Sequence, residues 1–419
     1  MKVPTWVYSI ADQGFSSASS LFVSVLAARS LSQEGFADFS ICLNWMIFIT
    51  LATSSVFISP MLSSYYGISG DGRTGYVLSY RSSLSSFASL GIMLLVVSGF
   101  SHGIFGKVFL ILGWSLCRAS GEQQRAIEIA QQNHKHACGL SFLHFLSSLL
   151  GLIGVLSIHG KVSSGVIIAA GALPVGLAVL ISAGCIHSIV RFKSNLGEAL
   201  KVIVRHKSLS GLALMSSCIN ASMVVLSLHI LEKYHGSQEV AIYQALATLT
   251  GMANPAIQGI SRYANARMAD SYNQGDVLGF NSARQGGLLL CAGFCGAFSG
   301  FFLFAANNLG LIFGHSYAQA GLTALTAMLF FTLNLLGLFY QTALFSIGRA
   351  RAITLSRIFS SFLVVPLACK FAIDFGHLGV FAGISLGYLI QIIVSFFVLR
   401  CEIPVRHDVP RGLRGEGFL

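Results

Sequence analysis

The sequence predicts an all-α membrane protein: about twelve transmembrane helices in two parallel-repeat six-helix bundles around a central cavity. Three observations carry this. Only 10% of the 419 residues are charged and 54% are hydrophobic, whereas a soluble domain carries about 25% charged residues. The apolar residues gather into about twelve segments, each near the ~20 residues needed to cross a bilayer core. With the N-terminus inside and every segment crossing, only Arg29, Lys107, Lys161, Lys233 and Lys370 of the 26 Lys and Arg residues fall outside. Cationic loops resist translocation, so this bias sets the orientation and supports the span count.

Taken in order, the predicted spans are 6–28, 39–62, 83–100, 104–118, 138–158, 164–190, 210–231, 240–260, 286–306, 318–345, 355–373 and 377–399. The fourth is short and begins near Lys107. Connections on the outside, such as His159-Gly160-Lys161 and Phe375-Gly376-His377, are too short to hold a further domain. Met1-Lys2-Val3-Pro4 leads into a long Ser-dotted segment without a short apolar core, so the first span is expected to do the targeting.

The expected organisation is an N-terminal bundle (1–190), an inside connector (191–209), a C-terminal bundle (210–399) and a polar inside tail (400–419). The connector holds Arg191, Lys193, Lys201, Arg205 and Lys207. An internal repeat supports the division. Ser32-Gln33-Glu34 after the first span returns as Ser237-Gln238-Glu239 after the seventh. Gly70-Asp71 after the second returns as Gly275-Asp276 after the eighth, at the same offset. Six spans per half give both halves one orientation, with a pseudo-two-fold axis along the membrane normal.

Several function classes are excluded. A net charge of +11 could suggest nucleic acid, but the basic residues are spread over many loops rather than gathered in one stripe. Topology and attraction to anionic lipid explain them. The nine cysteines form no C-x-x-C pair and read as small apolar residues. His134 and His136 sit two apart, on different faces of a helix. No metal, nucleotide or hydrolase motif is present, and no enzyme activity or cofactor is expected. Transport would then draw on an ion gradient, of protons or sodium, or on the substrate gradient.

Polar groups inside spans are the candidate site, because charge in lipid is costly unless it faces a cavity or a partner. Asp12, with Gln13 beside it, is a candidate ion-coupling pair; the structural alternative is an interfacial charge at a helix start. Arg29, Arg118 and Arg262 end spans and suit an anionic headgroup, or serve as snorkelling anchors. Asn254-Pro255 and Gln258 mark a break in the eighth span. Asn44 and Gln341 are further candidates, each also able to serve as an interhelical hydrogen bond. Runs such as Ser16-Ser17-Ala18-Ser19-Ser20 suit close helix contact or the wall of a wet cavity.

Ala11-Asp12-Gln13-Gly14-Phe15-Ser16-Ser17 through Ala27-Ala28-Arg29-Ser30-Leu31-Ser32-Gln33-Glu34-Gly35-Phe36 resembles the opening of polysaccharide and O-antigen flippases. Ala37 stands where that family most often has Gly. The motif likeness is confined to the first forty residues, while chain length and span count fit throughout. The resemblance implies a member of the multidrug/oligosaccharidyl-lipid/polysaccharide exporter superfamily. Such a protein would move an undecaprenyl-diphosphate-linked oligosaccharide from the inner to the outer leaflet of a bacterial inner membrane by alternating access. It would work among membrane lipids, alongside a glycan polymerase and glycosyltransferases of the same pathway. Arg29, Arg118 and Arg262 would face the diphosphate, and Asp12 would couple to an ion. Two other readings stand beside this one: a cation-coupled drug or metabolite antiporter of the same superfamily, and an integral-membrane glycan polymerase.

Overall fold

The computed structural model describes residues 5–65, 71–101, 103–131, 133–158, 162–182, 207–314, 321–347 and 349–405. These are helical, with no strand among them. The first half consists of α1 (Thr5–Ser30), α2 (Gln33–Tyr65), α3 (Asp71–Phe100), α4 (Gly103–Ala130), α5 (His134–Ile158) and α6 (Ser164–Ser182). The second consists of α7 (Lys207–His235), α8 (Ser237–Gly251), α9 (Asn254–Gln274), α10 (Val277–Asn307), the short α11 (Leu309–Phe313), α12 (Gly321–Ser346) and α13 (Ala350–Val405).

Two breaks bring these helices to twelve crossings. In α13, Gly376 adopts φ 60° and ψ −140°, which divides the helix into two arms. Only glycine takes this conformation without strain, and a Cβ here would also sit 2.7 Å from Glu239 Oε2. Together α8 and α9 form the eighth crossing, interrupted at Met252 and Ala253. Among the described residues, eight helices are long and apolar enough to span a bilayer, α13 with its two arms among them. The other three crossings, α1, α3 and the α8–α9 pair, are more polar or shorter, and α3 carries an apolar stretch only over Ser86–Phe100.

The repeat motifs mark helix boundaries. Ser32 opens α2, its hydroxyl accepting the Gly35 N–H at 3.1 Å, as a capping serine does. Its counterpart Ser237 is the first residue of α8. Gly275 ends α9 with φ 73°, and Asp276 caps α10 by accepting the Gly279 N–H at 2.8 Å. Its counterpart Asp71 is the first residue of α3 in the first half.

Within the first bundle α1 packs on α5, α3 on α4, and α6 on α4 and α5; in the second, α13 packs on α7 and α12, and α10 on α9. The contact of α3 with α4 is close, since a Cβ on Gly91 would lie 2.9 Å from the Gly113 carbonyl. Small residues permit such approaches where lipid supplies no hydrophobic drive. Between the bundles α2 packs on α7 and α1 on α8 and α9. The first helix of each half thus meets the second of the other, as a pseudo-two-fold requires.

Each half is stitched at one membrane face by an acidic residue near the start of its second crossing. In the first half Asp38 accepts from Lys107 Nζ at 2.5 Å and from Ser164 Oγ at 2.7 Å. In the second, Glu239 accepts the His377 N–H at 3.2 Å and also pairs with the His377 ring. His377 Nε2 lies 2.6 Å from Thr323 Oγ1. These residues begin the second, fourth and sixth crossings of each half, which alternation places on one face.

Three expectations change. The fourth span was expected to end at 118, but α4 continues to Ala130 and buries Gln123, Gln124, Arg125 and Glu128. Arg125 was sorted into an inside loop, yet it is a core residue, because its charge is paired within the bundle. The tail was expected to start at 400, but the helix runs to Val405. Most of the 191–209 connector, and residues 406–419, lie outside the described residues.

Candidate functional site

The wall of the central cavity begins with the serines of α1. Ser17, Ser20 and Ser24 recur at spacings of three and four, which puts them on one helix face, with Ser16 beside them four residues before Ser20. That face looks into a cavity of about 410 Å³ between the two bundles. From α2 come Asn44 and Thr50, from α4 Trp114 and Arg118, and from the second bundle Gln244, Thr248, Gly251, Asn254 and Gln258. The Thr50 hydroxyl is buried without a hydrogen-bond partner. The α8–α9 break lies in this wall. Pro255 has no N–H to give the carbonyl four residues earlier, and that residue, Gly251, lines the cavity.

Among the described lining residues Arg118 carries the only formal charge, and none is a carboxylate. Behind it lies a buried charge network. Asp12, 2% exposed, receives Arg125 Nε at 2.9 Å and Nη2 at 2.6 Å, along with Ser141 Oγ at 2.5 Å and Gln13 Nε2 at 3.2 Å. Arg125 gives its remaining Nη1 to Glu122 Oε2 at 2.6 Å. Arg118 Nη2 donates to Ser16 Oγ at 3.2 Å and lies 3.6 Å from Glu122 Oε1. A small hollow beside the network is lined by Ser16, Ser19, Glu122 and His144, and the buried His144 Nε2 has no partner.

On one side of the cavity the bundles are tied together. Asn44 Nδ2 donates to Gln244 Oε1 at 3.0 Å, and Trp45 Nε1 to His229 Nε2 at 2.9 Å. At the far rim Arg29 Nε donates to the Ile312 carbonyl at 2.8 Å, and its Nη2 to that of Leu311. Both carbonyls belong to the last turn of α11, where a cation is favoured. Deeper along the seam, the Ser55 and Ser217 hydroxyls meet at 2.6 Å.

Of the residues singled out from sequence, Gln13, Asn44, Arg118, Asn254 and Gln258 meet at the cavity. Asp12 lies behind its wall, and its carboxylate already holds a fixed cation, Arg125, where a coupling ion was expected. Arg29 lies at the rim and is engaged by α11. Gln341 is in the second bundle's core, where its Nε2 donates to Gln391 Oε1 at 2.9 Å and its Oε1 accepts from Arg357. The Arg262 side chain lies outside the described residues. Sequence reasoning passed over Glu122, Arg125, Trp114 and Gln244. Arg118, Glu122 and Arg125 stand at i, i+4 and i+7, a one-face spacing that was hidden once the fourth span was closed at 118.

No family model matches the sequence, and no curated protein matches it. Solved structures do. An inward-facing multidrug resistance MATE family transporter of the MOP superfamily aligns with TM-score 0.67 and 16% identity over 95% of this chain and 96% of its own. An outward-facing one aligns with TM-score 0.63 and 14% identity over 96% and 95%. A MOP superfamily transporter from Pyrococcus furiosus, described as having a binding pocket of reverse polarity that suggests a different function, gives 0.62 and 14% over 96% and 95%. The chain has the MATE-transporter fold. In that MATE-like scaffold, two repeat bundles of six crossings enclose the cavity from which Arg118 projects, and the chain spans nearly the whole length of each match.

Proposed function

We propose that this protein is an alternating-access transporter that flips an anionic glycolipid, a lipid-linked oligosaccharide carried on a diphosphate. It would move the substrate from the inner to the outer leaflet of a bacterial inner membrane. One observation carries the substrate class. The polar part of the cavity wall is made of hydroxyls and amides set among apolar side chains, and its single formal charge among the described residues is positive. Sugars offer hydroxyls to such a wall, and a planar guanidinium suits phosphate oxygens. A cationic drug would find no carboxylate among the described lining residues. The lipid tail would stay in hydrocarbon while the head crosses.

Alternating access is supported by the fold, which solved MATE transporters adopt in both inward-facing and outward-facing conformations. The ties from Asn44, Trp45 and Arg29 would close the outer end here, taking the orientation from the cationic loops. Asp12 is assigned to holding Arg125 rather than an ion, with Gln13 donating to the same carboxylate.

The test reconstitutes the full chain in liposomes with a fluorescent lipid-diphosphate sugar and, separately, a cationic dye. The wild type is expected to expose the glycolipid in the opposite leaflet and leave the dye in place. Arg118→Gln is expected to abolish glycolipid movement at normal protein levels. Dye transport without glycolipid movement would return the antiporter reading.

A further inference from the structure

We propose that Glu122 is a positioning residue whose fixed charge limits the grip of Arg118 on an anion, so that the anion can leave. This rests on the reading of the cavity as an anionic-substrate site. Glu122 itself is absent from the cavity wall, and it acts through Arg118.

The geometry divides four charges unequally. Asp12 and Arg125 are 2% and 5% exposed and satisfy one another through two hydrogen bonds. Glu122 is held from one side by Arg125 Nη1 at 2.6 Å. Its other oxygen faces Arg118 at 3.6 Å, longer than a hydrogen bond, while Ser16 takes the same Nη2 at 3.2 Å. Glu122 is therefore a fixed negative charge beside Arg118 that leaves most of the guanidinium donors unclaimed. The four formal charges cancel before any ligand arrives.

Without Glu122, the anion would meet an uncompensated cation in a low-dielectric setting, where attraction is strong and release is slow. A transporter needs its substrate bound firmly enough to enter and weakly enough to depart. Glu122 subtracts from the attraction in every state, because its own anchor, Arg125, is locked by Asp12.

The experiment measures binding of inorganic pyrophosphate to the purified full-length protein, and flipping of a fluorescent prenyl diphosphate in liposomes. Removing one charge some 6–8 Å from the anion is expected to tighten binding by roughly tenfold or more. Glu122→Gln should therefore lower both the apparent Kd and the flipping turnover. Glu122→Asp keeps the charge but retracts it from Arg118, and should give a smaller tightening in the same direction. It also serves if the Gln variant does not fold. A purely packing role would reduce protein yield and leave the Kd unmoved. Unchanged or weaker binding in both variants, with binding lost in Arg118→Gln, would overturn the role of Glu122 alone. Unaltered binding in Arg118→Gln would overturn the cavity reading beneath it.

Discussion

Asp12 and Arg125 are 113 residues apart in sequence and form a buried two-pronged ion pair, with Nε–Oδ1 at 2.9 Å and Nη2–Oδ2 at 2.6 Å. The pair joins α1, which lines the cavity, to α4, which supplies Arg118. It is the anchor on which the electrostatics of the site depend. Removing one partner of a buried pair strands the other charge, at a cost of about 3–5 kcal/mol.

Accordingly, Asp12→Asn and Arg125→Met should each lower the thermal unfolding temperature of the detergent-solubilised protein sharply. The double variant should recover part of the loss, because no charge is left stranded. Equal losses in all three would show that the pairing contributes little.

Arg29 is expected to act as a tie between the bundles rather than as a ligand. Arg29→Ala removes two hydrogen bonds to α11 and should populate states open at that rim. In a cysteine-free background carrying Gln244→Cys, the added change should speed labelling by a membrane-impermeant thiol reagent several-fold. Labelling that stays at its original rate would assign Arg29 to lipid headgroups instead.

Gly376→Ala puts a side chain at positive φ and 2.7 Å from Glu239 Oε2. The conformational part alone costs about 1–3 kcal/mol, and displacement of the Glu239–His377 contact adds to it. A fall in unfolding temperature is expected, with a larger fall than for Gly300→Ala, where an added Cβ meets nothing within 4 Å.

Pro255→Ala restores a donor for the Gly251 carbonyl and should favour a continuous helix through α8 and α9. Transport is expected to fall while protein levels hold, because the wall loses its break. Unimpaired transport would make the break a packing feature only.

The parts of this molecule that could be read from its sequence are local ones. Span number follows from runs of apolar residues whose length the bilayer fixes, and the repeat follows from short motifs that stop and start helices at Gly275-Asp276 and Ser32-Gln33. The polar spans were visible too: the serines of α1 and the Asn254-Pro255 break both reached the cavity. A hydropathy count went astray where a charge is paired. It closed the fourth span at Arg118 because Arg118, Glu122 and Arg125 looked like a loop, although the helix continues through them to Ala130.

By itself, then, the sequence determined how many times the chain crosses, how the crossings divide into two like halves, and which helices are too polar to face lipid on all sides. Only the tertiary structure decided which charges are spent and which is left for a ligand. Asp12 is neutralised by Arg125, Arg29 is engaged by the carbonyls of α11, Gln341 is taken up by Gln391 and Arg357, and Arg118 remains at the cavity. Crossing a bilayer is a property of each segment's own composition. The availability of a buried charge depends on partners brought from distant segments, and only packing supplies them.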